Sequence, residues 1–191
     1  MQGHVIDLEQ LVANYPTHRH DAQLWEWLGR TVATFGFLEE VLRKAVFALT
    51  GTRRYETDEL AKDAYKSWLG TIERALTAEL GSLIQMFDKS VRDHPDCHVD
   101  DFEELIEDLT KAKELRNLLC HASWQTPNDE GKALPFFVRK KDKLANQTVM
   151  DADYLQQVQR GTAELSGVVV SVVTSMGWQF PGSNGHGKPV W

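Results

Sequence analysis

Apolar positions recur at helical spacing along most of the chain. From about residue 24 to 49, Leu24, Leu28, Phe35, Leu38, Leu42, Ala45 and Leu49 follow one another at steps of three, four or seven, the signature of an amphipathic helix. Trp25, Trp27, Phe37, Val41 and Phe47 widen that apolar face, so this helix should meet neighbours on two sides. Thr57 or Asp58 reads as the cap of a second helix reaching about Gly70, with a further turn or two over Thr71 to Thr77. A third helix is expected from Leu80 through Leu83, Ile84, Phe87 and Val91, before the loop His94-Pro95-Asp96-Cys97-His98. Asp100 or Asp101 then caps a fourth, from Phe102 to about Leu119.

After residue 124 the pattern collapses into QTPNDEGK. Leu134 to Val138 and Gln147 to Val149 are β-prone and flank a polar turn, which predicts a small hairpin over about residues 133–149. Pro135 belongs on an exposed edge or at the start of its strand, because it has no N–H to donate. The stretch from about Ala152 to Met176 is rich in β-branched residues. Leu155, Val158, Leu165, Val169, Val172 and Met176 nevertheless keep helical spacing, and period outranks propensity. The fold class expected is all-α: an up-and-down bundle of about five helices with the hairpin inserted before the last. Residues 1–20 form an N-terminal extension with one short amphipathic piece, 21–178 the bundle, and 179–191 a Gly- and Pro-rich flexible tail.

Composition narrows the function. The 191 residues are 42% hydrophobic and 26% charged, a globular balance, with a formal net charge of −7 that argues against a polybasic nucleic-acid binder. A local basic groove is compatible with that charge. Two cysteines, no basic and apolar leader, and an apolar run of at most 12 residues (Leu165 to Met176) point to a reducing, cytoplasmic setting with no membrane span.

Chemistry concentrates at the end of the fourth helix. Arg116 occupies the apolar line Phe102, Leu105, Leu109, Ala112, Leu119. An unpaired guanidinium in a dry core costs several kcal/mol or more, so Arg116 must snorkel outward, pair with an acid such as Glu39 or Glu40, or face a wet cleft. Asn117 and His121 are four residues apart and share a face. Arg116 and His121 lie about 140° apart on an ideal helix, so their convergence within one chain needs a bend or a helix end between them. A fixed cation, an amide and a titratable imidazole suffice for phosphodiester chemistry without metal: the guanidinium grips phosphate and the imidazole moves a proton. On RNA the 2′-hydroxyl supplies the nucleophile.

Arg116-Asn117-Leu118-Leu119-Cys120-His121, with Trp124 three residues on, resembles the R-N-x-x-x-H signature of the HEPN superfamily (higher eukaryote and prokaryote nucleotide-binding domains). That resemblance implies an all-helical, homodimeric, metal-independent endoribonuclease of the toxin or defence type, its two motifs facing each other across the dimer. Arg116 and His121 would be the catalytic pair and Asn117 the positioning residue. An RNA substrate or nucleotide, and an antitoxin or other protein, are the implied partners; no cofactor and no metal are implied. A non-catalytic nucleotide- or protein-binding module of the same fold is the alternative.

Three other features have plainer readings beside functional ones. Arg139, Lys140 and Lys141, following Phe136 and Phe137, are candidates for RNA contact or a solvated turn whose phenylalanines dock on the bundle. Trp124 is expected to plug the helix end. His94, Cys97 and His98, with Cys120 or His121, match no strong zinc spacing.

Overall fold

The computed structural model describes residues 7–53, 62–139 and 143–190. Among them are five α-helices: α1 (Ala22–Thr52), α2 (Lys62–Thr77), α3 (Leu80–Arg92), α4 (Phe102–His121) and α5 (Ala152–Thr174). The two-stranded antiparallel sheet, β1 (Ser123–Trp124) and β2 (Pro135–Phe136), precedes the last helix. The protein is an all-α bundle, as the periodicity requires.

The long first helix is the spine. Leu38, Leu42, Ala45, Val46 and Leu49 of α1 are fully buried, and α5 lies along α1 as its most extensive neighbour, with α3 next. Leu155, Val169 and Val173 of α5 and Leu83 and Phe87 of α3 complete the same core. The β-branched run of α5 therefore folds as a helix because its period places those side chains on one buried face. Thr31 Oγ1 ties the two long helices further, donating to Trp27 O at 2.7 Å and lying 3.0 Å from Leu155 O.

Several boundaries differ from the sequence reading. Gly51 does not stop α1, which reaches Thr52, where the hydroxyl donates back to Ala48 O at 2.7 Å. The second helix runs unbroken through Gly70 to Thr77, and its expected cap at Thr57 or Asp58 lies outside the described residues. Asp101 does stand at the start of α4, but in the left-handed region (φ 52°) and without a side-chain cap bond; its carbonyl receives Glu104 N and Leu105 N instead.

The expected hairpin is present: Ala133 bridges Met150 and Val138 bridges Ala145, both antiparallel and in one register. The pairing that the sequence did not indicate is a second one, of Pro135–Phe136 with Ser123–Trp124, with Trp124 opposite Pro135. Pro135 opens β2, where its missing N–H leaves no ladder bond unmade.

The expected flexible tail is fastened to the bundle. Gln179 N donates to Lys188 O at 2.8 Å and Lys188 N to Gly177 O at 2.9 Å, while Phe180 is buried. Gly187 makes this closure possible. Its φ is +121°, and a Cβ there would lie 2.6 Å from Gln179 N.

Candidate functional site at the end of α4

The apolar stripe of α4 seats Leu105, Leu109 and Leu119 in the core. Arg116 falls on the same line and solves its burial by pairing. Its Nη2 stands 3.8 Å from Glu39 Oε1 on α1, and its side chain keeps 32% of its surface in water. Nη1 donates to Asn117 Oδ1 at 3.3 Å. Of the two acids expected as partners, Glu39 takes the role; Glu40 instead pairs with Lys44 at 2.7 Å.

Glu39 serves a second cation. Its Oε2 is 3.4 Å from Arg43 Nη2, and Arg43 also donates to Ala75 O and Ala78 O, both at 3.2 Å. One carboxylate thus braces the arginine of the motif and the arginine that satisfies carbonyl groups at the end of α2. Arg43 escaped the sequence reading, although its place four residues after Glu39 marked it as a helical ion-pair partner.

His121 sits elsewhere. The helix continues unbroken through it to the Ala122 cap, whose N–H bonds Leu118 O at 2.9 Å. The break that would bring His121 to Arg116 is therefore missing, and about 140° of helix separates their directions. His121 is exposed, and its imidazole makes no hydrogen bond or ion pair with a described residue. Asn117 connects the two: it receives Arg116 Nη1 and lies one turn before His121. One chain thus brings together Arg116, Asn117 and Glu39, but not Arg116 and His121.

An aromatic chain closes this end of α4. Trp124 meets Trp25 edge-to-face at 5.8 Å, and Trp25 meets His20 at 5.0 Å. His20 Nε2 lies 3.0 Å from Gln125 O, just past Trp124. Trp124 is half-buried in this plug, and the N-terminal segment is fixed against it.

Of the basic run, Arg139 is exposed, while Lys140 and Lys141 lie outside the described residues. The phenylalanines divide: Phe136 is exposed and Phe137 is half-buried, facing a groove of about 460 Å³ between α4 and the hairpin segment. Glu114, Leu118 and Tyr154 also line it. No spacing rule pointed to this groove, because its walls meet only through the tertiary return of the chain.

His94 is a structural group. It is buried; Asp96 N–H donates to its Nδ1 at 3.2 Å, which fixes the proton on Nε2, and Nε2 donates to Thr52 Oγ1 at 3.2 Å. Burial holds its pKa below the ordinary imidazole value and pushes the Cys97 thiol up. Among the described residues no three His, Cys, Asp or Glu side chains are grouped to hold a metal ion, and no helix is long and apolar enough to cross a membrane.

No family model, no curated protein and no solved structure matches this chain.

Proposed function

We propose that this protein is a HEPN-type, metal-independent endoribonuclease that works as a homodimer, in the manner of a toxin or defence effector. The observation that supports it most is the arrangement on α4: a guanidinium held in place by Glu39 and Asn117 yet one-third exposed, with an uncommitted imidazole one turn beyond the same Asn117. In the reaction the RNA 2′-hydroxyl attacks the adjacent phosphorus and the 5′-oxygen leaves, giving a 2′,3′-cyclic phosphate. His121 moves the proton, as base toward the 2′-hydroxyl or as acid toward the leaving oxygen. Arg116 stabilises the extra negative charge of the pentacoordinate phosphorus. Asn117 positions the guanidinium. Because an unbroken α4 separates Arg116 and His121, a second copy supplies the complementary group.

The test is digestion of single-stranded RNA in EDTA. Wild type should cut, and His121→Ala and Arg116→Ala should each lose about 10²-fold or more in rate. Cutting that survives both substitutions overturns the assignment. The Glu39 carboxylate beside Arg116 favours a second reading, a binding module of the same fold, since it already offsets part of the charge a phosphate would meet. RNA retained without any cutting would select that reading.

A further inference from the structure

We infer that the groove between α4 and the hairpin segment is a nucleotide-binding subsite, seating a base that carries an exocyclic amine with its phosphate toward Arg139. The inference deepens the RNA-cleaving reading by naming a substrate unit, and rests on it only for the idea that the nucleotide belongs to RNA.

Size and lining carry the argument. At about 460 Å³ the groove falls in the range of small-molecule sites. Leu118 of α4, Phe137 of the hairpin and Tyr154 of α5 give it apolar and aromatic surfaces suited to the faces of a planar ring. Polar and charged side chains share the lining. The Glu114 carboxylate can only accept hydrogen bonds when ionised, so it favours a base edge rich in N–H donors, as adenine, guanine and cytosine present with their amino groups. Gln147 adds an amide that donates or accepts, and Arg139 brings the cation a phosphate needs. With both a carboxylate and a guanidinium in its lining, the groove suits an occupant that carries hydrogen-bond donors and an anionic group.

Position ties the groove to the motif. Glu114, Leu118 and His121 are spaced i, i+4 and i+7 on one continuous helix, so the row that forms the α4 wall ends at His121. Arg116 faces the opposite way, toward Glu39 of α1. A base in the groove would therefore lie on the imidazole side of the motif.

Calorimetry of the full-length chain with adenosine, guanosine, cytidine and uridine 5′-monophosphates tests this without any cleavage. At least one amino-bearing nucleotide should bind saturably and about tenfold tighter than the uridine nucleotide. Ala145→Trp, which fills the groove from an exposed position, should abolish binding. Gln147→Ala, also exposed, should weaken it by about fivefold with melting unchanged, keeping the test valid if the tryptophan variant fails to fold. Arg139→Ala should weaken the monophosphate by about tenfold and leave the bare nucleoside unaffected. No saturable binding of any of the four, or binding indifferent to both Ala145→Trp and Gln147→Ala, overturns the inference. RNA cutting dependent on His121 with no nucleotide bound would sink the subsite and leave the nuclease; nucleotide bound in the groove by a chain that never cuts would do the reverse.

Discussion

Glu39 on α1 and Arg116 on α4 form an ion pair at 3.8 Å in which the acid is the more buried partner, 17% exposed against 32%. The same carboxylate reaches Arg43 at 3.4 Å, so two guanidinium groups depend on one acid. Glu39→Gln would leave the cations facing each other with only an amide oxygen between them. The expected loss is about 1 kcal/mol, moderated by the partial exposure of both arginines. Urea midpoints at low and high salt check it. The gap between variant and wild type should narrow as salt screens the pairs, and an unchanged midpoint at low salt would show that Glu39 holds neither arginine.

His94 makes stability depend on acid. Burial is the main cause of its lowered pKa; the Arg53 cation lowers it further, and the Asp96 carboxylate opposes both. In the unfolded chain the imidazole takes a proton as pH falls through its ordinary value of 6.5, whereas the folded chain takes it only at lower pH. The stability that His94 contributes is thus complete above about pH 6.5 and declines below it, down to the folded pKa. Protonation would also place a hydrogen on Nδ1 against the Asp96 N–H. Thermal melts between pH 7.5 and 5 should show wild type losing stability more steeply than His94→Gln. Parallel curves would assign the acid sensitivity to other groups.

The parts legible in the sequence were those that repeat. Five helices follow from apolar residues at a 3.6 period, and Arg116 stood out because a cation interrupted such a row. The choice of Glu39 over Glu40 was open, since adjacent acids on α1 point about 100° apart and only packing selects one. Ser123–Trp124 is too short to carry any period, and its pairing with Pro135–Phe136 depends on the path of an intervening loop. The state of His94 depends on Thr52, 42 residues away in sequence. The continuation of α4 through His121 was likewise hidden, because the loss of pattern after Trp124 does not fix whether the helix ends at Leu119 or at His121.

The docking of the tail turns on one missing side chain. At Gly187 an added Cβ would come within 2.6 Å of backbone atoms of Trp178 and Gln179, which cannot move aside as a flexible side chain would. Its φ of +121° is also hostile to other residues. Gly187→Ala should cost about 1–3 kcal/mol locally and release the bonds joining 179 to 188 and 188 to 177. Hydrogen exchange is the suitable measurement. Amides of Gln179 and Lys188 should lose protection while those of α1 keep theirs; retained protection at both would mean the closure does not rely on the glycine.

On the proposed nuclease reading, the kinetic order of cleavage is the most direct consequence of an unbroken α4. A single chain directs Arg116 toward Glu39 and carries His121 about 140° around the same helix, so one copy does not focus both groups on one phosphate. Two copies can, if the imidazole of one chain meets the guanidinium side of the other. At concentrations below the dimer dissociation constant, cleavage should then rise with about the square of protein concentration, and become linear once dimers saturate. Initial rates over a dilution series, with sedimentation at the same concentrations, measure both curves. A strictly linear rate across a range where sedimentation finds only monomer would mean that one chain cuts alone, and the two-copy site would have to be abandoned.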